Sequence, residues 1–326
     1  MRAGLFSFLL FALFPACTVE PEQRLSVGSR FGGVFNLNET EALRSIFPLT
    51  LTQASAFRIM SQVYQGLVSF DPATLEIIPC LAQSWEVDEG ATRYTFHLRP
   101  GVRFHDDPAF PDGQGRELTA DDVVRCFSAI CTQGIGDQMI WLFQDRVKGA
   151  NAHYSASSKG SPLTDGVEGI RKVDDVTVSI TLTHPSPNFL QIIAHQGCWI
   201  WPQELMTAYG NDLGSHGIGT GPFSLHEMHA GEAMVLERNP HYWKVDAEGR
   251  ALPYLDAIRV TFAEDRNAEF DEFLKGRVTA LLELPVDRLR DLKDSVDALS
   301  GDKRFTMRST PALTSQFYGF DAYHVP

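Results

Sequence analysis

A histidine pair, a histidine–aspartate pair and an aspartate pair are the residues of this chain whose spacing could do chemistry. His226 and His229 enclose Glu227 and Met228, a spacing that suggests a metal pair. The flanking residues alternate as a strand, however, and positions three apart on a strand face opposite sides. The two imidazoles then diverge, and surface histidines on a hairpin are the better reading. His105-Asp106 has the form of a general base held by a carboxylate. Asp121-Asp122 reads as the opening of a helix, not as an acid pair. No G-x-S-x-G, H-E-x-x-H or C-x-x-C occurs, so no signature of a hydrolase or metalloprotease is present. No metal site and no cofactor is expected.

The cysteines give no catalytic signal either. Cys80, Cys126, Cys131 and Cys198 allow three full pairings, and spacing does not choose among them. Cys126 and Cys131 fall five apart on one predicted helix, which is poor bridge geometry, so buried free thiols are the expectation. Gly219 and Gly221 form a G-x-G that could cradle a dinucleotide. That use needs a strand before and a helix after, whereas Pro222 and a hairpin follow here. The aromatics Tyr64, Trp199, Trp201 and Phe320 are the candidates for ligand contact, with burial in a core as the competing reading for the first three.

The elements that would hold these residues can be read from periodicity. Phe223 and Leu225, then Met234 and Leu236, alternate with polar residues around Ala230-Gly231, giving two short strands. Phe57, Ile59, Met60, Val63 and Tyr64 have helical spacing, with Gly66 as the stop. Tyr94, Phe96 and Leu98 alternate, and Pro100-Gly101 is expected to turn the chain so that Val102 and Phe104 complete a hairpin. Thr119 and Asp122 form a capping pair for a helix with Val123, Val124, Phe127 and Ile130 inward. Residues 150–169, rich in Ser, Gly and Asp, read as a surface loop. Val176 to Leu182 and Ile258 to Phe262 are strands. Asn267 to Lys275 is an amphipathic helix ended by Gly276, Leu281 to Leu284 is extended, and Val286, Leu289, Leu292 and Val296 form a further helical face.

Residues 1–17 have Arg2, an apolar run too short to span a bilayer, and then Pro15-Ala16-Cys17, the pattern of an export signal. Cys17 behind a small residue is the candidate site of lipid attachment. The chain has 326 residues, 44% hydrophobic and 21% charged, with a formal net charge of −13. That acidity argues against nucleic acid and against an anionic membrane surface as partners. The length exceeds one typical domain.

Three runs together resemble one family. Gly219-Thr220-Gly221-Pro222-Phe223, Leu236-Glu237-Arg238-Asn239-Pro240-His241-Tyr242-Trp243 and Pro253-Tyr254-Leu255-Asp256 match, in order and spacing, the extracytoplasmic solute-binding proteins of peptide and nickel ABC transporters. Tyr64-Gln65-Gly66-Leu67-Val68, Pro79-Cys80-Leu81-Ala82-Gln83-Ser84-Trp85 and Phe104-His105-Asp106 agree with it, which makes His105-Asp106 a structural turn. The chain departs from the family at a polar loop, Asp107 to Arg116. It departs again where Gly-Glu-Val-Asp is replaced by Gly276-Arg277-Val278-Thr279, putting any polar role of that turn in doubt.

The resemblance implies an α/β, two-lobed periplasmic-binding-protein type II fold, its first lobe nearly complete and its second truncated. Residues 24–70 and 170–264 are expected to form the sheet core of lobe I, with 71–169 as an inserted subdomain and 265–326 as the start of lobe II. Tyr242 and Trp243 are expected to be largely buried. The implied function is non-enzymatic: capture of di- or oligopeptides outside the cytoplasmic membrane for ABC permease subunits, by a monomer anchored through Cys17. Another solute (a nickel chelate, an oligosaccharide) and a degenerate envelope hydrolase are the alternatives. The family's ligand-terminus contacts lie largely past Pro326, so binding by these residues alone is expected to be weak.

Overall fold

The computed structural model describes residues 31–160, 166–285 and 288. Its strands are β1 (Val34–Glu39), β2 (Val68–Phe70), β3 (Ile77–Pro79), β4 (Ala82–Val87), β5 (Arg93–Leu98), β6 (Ile170–Asp174), β7 (Thr177–Thr181), β8 (Phe223–His229), β9 (Ala233–Arg238) and β10 (Ala257–Phe262). The helices are α1 (Ala54–Met60), α2 (Ala120–Ile130), α3 (Ala150–Ser157), α4 (Phe189–Ile193), α5 (Gln203–Tyr209) and α6 (Arg266–Leu274). Cys17, the helical face from Val286 to Val296, and Phe317 to Asp321 with Phe320 all lie outside the described residues.

Two four-stranded sheets carry the architecture, in the orders β1-β10-β9-β8 and β4-β5-β7-β6, with β2 and β3 pairing separately. In the first sheet β1 runs parallel to β10, with Leu37 beside Val260, and Val260 in turn opposite Met234. These three side chains are buried on one face, as strand alternation requires. The chain therefore starts this sheet with β1, leaves it, and takes it up again only at β8. In the second sheet every pairing is antiparallel, and Phe96 lies between Trp85 and Val178.

Helix α2 covers the second sheet. Thr119 donates its backbone N–H to Asp122 Oδ2 at 3.1 Å, the capping arrangement expected from the sequence. Val123, Phe127 and Ile130, at i, i+4 and i+7, are buried. Burial of such side chains contributes roughly 1.5–3 kcal/mol each. Asp122 is also gripped from outside the helix: Arg116 donates to both its oxygens at 2.7 Å and to Glu204 of α5 at 2.8 and 3.0 Å. The polar loop 107–116 thus ends in an arginine that ties α2 to α5.

Several expectations are corrected. Strands β6 and β7 belong to the second sheet, paired through β5, and not to the sheet of β1 and β10. The first sheet accordingly takes nothing from residues 170–182. The hairpin between β5 and Val102–Phe104 does not form, because both edges of β5 are already taken by β4 and β7. Arg103 instead bridges Glu117, and Leu118 N–H donates to Val102 O. Residues 150–157 are helical, since Ala150 and His153 turn one face inward. Helix α1 stops at Met60, short of Gly66. Leu281 to Leu284 contains no strand. Tyr242 and Trp243 are half-buried, and their polar atoms reach Gln65. Cys80, Cys126, Cys131 and Cys198 are free and buried. Burial pushes the Cys80 and Cys126 thiols up to about 11. No helix among the described residues is long and apolar enough to cross a membrane.

Candidate functional site

The glycine-rich run before β8 is a seam between the two sheets. Residues 217–222 lie flat on the turn after α1, so closely that a Cβ on Gly219 would stand 2.0 Å from Val63 O, and one on Gly221 2.4 Å from Gln62 O. Gly221 N–H donates to Val63 O at 2.9 Å and Phe223 N–H to Gln62 O at 3.0 Å. From the other side comes His105, whose backbone N–H donates to Gly219 O at 2.8 Å. Its Nδ1 accepts from Gly219 N–H at 3.3 Å, so the proton sits on Nε2, which donates to Gly221 O at 2.9 Å. Burial holds this imidazole down at about 4, against the partial support of its Gly221 bond. Asp106 does not orient it, because Oδ1 accepts from Gly115 N–H instead. His105 is therefore a neutral structural clamp and not a general base.

Gln65 closes the seam. Its Oε1 accepts from Thr220 Oγ1 at 3.2 Å and from Trp243 Nε1 at 3.0 Å, and its Nε2 donates to Tyr242 Oη at 3.1 Å. Asn239 Nδ2 donates to Gly221 O at 2.9 Å. The aromatic pair after β9 and the glycine run thus share one buried amide, a link that no local spacing reveals.

The aromatics named from the sequence lie behind this seam. Tyr64 stacks on Trp199 with ring centroids 5.9 Å apart, and Trp201 meets Phe47 edge-on at 5.1 Å. Tyr64 and Trp201 are each 1% exposed and Trp199 7%. A Cβ on Gly217 would meet Tyr64 Oη at 3.4 Å, so the glycine run itself roofs the tyrosine. The structure places all three in the buried core. His226 and His229 are exposed and pair with Glu237 and Glu227 respectively. No cluster able to hold a metal occurs among the described residues.

Polar groups collect instead at the carboxyl ends of the parallel pair β1 and β10, the position where open α/β sheets take ligands. Asn38 Oδ1 accepts from Ala263 N–H and Thr261 Oγ1, both at 3.1 Å, and its Nδ2 donates to Ala263 O at 3.1 Å. Glu39 is 7% exposed and held as a fork by Arg58 of α1, through two bonds of 3.0 Å. Gln53 pins the loop between β1 and α1, accepting from Arg44 N–H and donating to Ala42 O. Beyond β10, Asp265 caps α6, and Glu269 sits 7% exposed beneath it. Desolvation raises the Glu269 carboxyl above its ordinary range, partly offset by Arg266. The chain then returns to the outer edge of β1, where Thr279 N–H donates to Asn36 O at 2.8 Å and Thr279 Oγ1 accepts from Asn36 N–H at 3.0 Å. The turn that lacks the family's acids therefore keeps a polar role.

Asn38, Glu39, Gln53, Arg58, Glu269 and Thr279 were not legible as a site, since up to 243 positions separate the partners. The Arg58 guanidinium is half-exposed at the rim. Among the described residues no nucleophile lies beside a base here, although Glu39 comes close enough to Glu269 to help raise its carboxyl. These groups can hold a ligand by hydrogen bonds.

The profile of bacterial extracellular solute-binding proteins, family 5 Middle, matches residues 76–326. The dipeptide-binding protein of Escherichia coli (strain K12) is 29% identical over 276 residues, covering 81% of this chain and 46% of that protein. A periplasmic oligopeptide-binding protein from Borrelia burgdorferi superposes with a TM-score of 0.69 at 25% identity, over 80% of this chain and 49% of that one. The periplasmic binding protein DppA from Helicobacter pylori, solved with the peptide STSA, gives a TM-score of 0.67 at 23% identity, over 81% and 49%. The fold is that of type II periplasmic binding proteins. The chain spans about half the length of the curated relatives it matches.

Proposed function

Because this chain belongs to the bacterial extracellular solute-binding proteins, family 5, a substrate-binding family without enzymatic activity, we propose that it supplies one wall of a peptide-binding cleft serving an ABC importer. The observation that carries the reading is the polar junction at the carboxyl ends of β1 and β10, where Asn38, Glu39 and Arg58 stand beside the segment that follows β10. Two-lobed binders close on a solute about the segments that join their lobes. Peptide names on the relatives in E. coli and H. pylori support the ligand class. In this reading the protein works as a monomer outside the cytoplasmic membrane and delivers its ligand to permease subunits.

One wall binds weakly, because affinity comes from groups converging on both sides as water is expelled. Titrating the 326-residue chain with a pool of di- to hexapeptides should give millimolar binding, with amide shifts gathered between residues 38 and 58 and around 263–269. Shifts confined elsewhere on the lobe, or none at all, would overturn the assignment.

Export through residues 1–17 and lipid attachment at Cys17 belong to the same proposal. Mass spectrometry of the mature protein should find a diacylglycerol-bearing Cys17 at its N-terminus, and Cys17→Ala should release the protein from the membrane fraction. A mature form starting elsewhere and free of lipid would end the anchor reading.

A further inference from the structure

A shallow cavity of about 350 Å³ opens on the inserted subdomain, lined by Trp141, Gln144, Asp145, Arg146 and His184. Its volume falls at the lower end of small-molecule sites. The lining comes from the turns between α2 and α3 and from the residue just past the end of the second sheet. No residue of the β1/β10 junction contributes.

The site is pre-arranged. Trp141 is 52% exposed, although large aromatics are seldom left so open. Its indole is nevertheless held edge-on to His195 at 5.2 Å. Arg146 Nη1 donates to Trp141 O at 2.7 Å, which sets the guanidinium beside the indole's own backbone. Asp145 is in the left-handed region at φ 61°, a conformation that costs a non-glycine residue about 1 kcal/mol or more. Thr183 Oγ1 donates to Asp145 O at 2.8 Å and Asp145 N–H donates to Asn151 Oδ1 at 2.9 Å, so the strained turn is locked. His184 Nδ1 is engaged by Thr183 Oγ1 at 2.9 Å, leaving Nε2 for another partner. The Gln144 side-chain amide makes no hydrogen bond among the described residues.

Those groups define a ligand class. Asp145 and Arg146 have opposite charges side by side, so the cavity favours neither a free anion nor a free cation. Carboxylate, guanidinium, amide and imidazole are planar groups that between them both donate and accept, which suits vicinal hydroxyls that do the same. The indole offers a flat apolar face for the C–H side of a ring. An extended peptide would instead draw on the backbone groups of a sheet edge, and the groups lining this cavity are side chains. We propose that this cavity is a second binding site, distinct from the β1/β10 junction, that takes a neutral saccharide of one or two rings.

The test uses the 326-residue chain with cellobiose and with N,N′-diacetylchitobiose, read by ligand-observed saturation-transfer NMR. Saturable millimolar binding of at least one sugar is expected, weakened about tenfold by Trp141→Ala and measurably by Gln144→Ala. Neither side chain is part of the core, so both variants should keep the parent's circular dichroism and melting temperature. The proposal is overturned if neither sugar saturates, if Trp141→Ala binds as the parent does, or if a tripeptide displaces the sugar from this cavity. Loss of peptide shifts at residues 38–58 would leave this outcome untouched, and the reverse holds, so the two sites fail separately.

Discussion

Gly219→Ala should lower stability by at least about 3 kcal/mol and leave most of the chain insoluble at expression temperature, the scale expected when an atom is forced into a packed backbone. The reason is geometric. The added Cβ would lie 2.0 Å from Val63 O and 2.8 Å from Val63 C, and both belong to backbone that cannot rotate aside. Relief requires the seam to separate, which breaks the Gly219–His105 and Gly221–Val63 bonds together. Gly231→Ala is the matched control. It sits at φ 76° in the turn between β8 and β9 with open space around it, so its cost is the left-handed strain alone, about 1 kcal/mol. Urea unfolding of the two variants beside the parent decides the matter. Equal midpoints for Gly219→Ala and Gly231→Ala would mean that the seam is not closed in solution.

The second large effect is a loss of stability in mild acid, to which His105 contributes most and His195, also held down by burial, adds in parent and variant alike. The folded chain keeps His105 neutral down to about 4, whereas in the unfolded chain it titrates at roughly 6.5. Between those values the unfolded state binds the extra proton, so unfolding becomes easier as pH falls. The stabilisation is complete above about 6.5 and is lost as the pH drops through the window to about 4, amounting to about 3 kcal/mol. Protonation would also turn the Nδ1 acceptor into a donor facing Gly219 N–H, opposing the seam directly. His105→Gln removes the titration while offering an amide to the same carbonyl. It should be less stable than the parent at pH 7.5 but should lose far less between pH 6.5 and 4.5. Glu269 runs the other way, since its raised carboxyl favours the folded state less as pH rises, but it is present in both proteins and cancels in the comparison. Parallel pH slopes for parent and His105→Gln would refute the assignment.

Local periodicity was legible in this sequence for many elements with one face buried and the other wet, though not for α3. Tyr94, Phe96 and Leu98 of β5, Val178 and Ile180 of β7, Val123, Phe127 and Ile130 of α2, and the β8–β9 turn at Gly231 were readable because side-chain direction repeats every two or 3.6 residues whatever the partner. The glycine run and Asn239-Pro240-His241-Tyr242-Trp243 marked the family, and so the fold. What they do physically (a seam through Val63, His105 and Gln65) was not on the line of sequence. Only the tertiary structure decided that β7, with β6 on its far edge, joins β5 rather than β10, because a strand does not encode which edge it will occupy. Once β4 and β7 held both edges of β5, Val102 and Phe104 had no strand left to pair with. The same holds for function. Tyr64 and Trp201 look alike as sequence whether they line a cleft or fill a core, and only the fold shows both buried, with glycine backbone over Tyr64. Asn38 with Ala263 and Asn36 with Thr279 became neighbours only when the chain past residue 257 returned to β1. Hydrogen bonds between residues so far apart in the chain have no period to read, since folding, not spacing, brings them within reach.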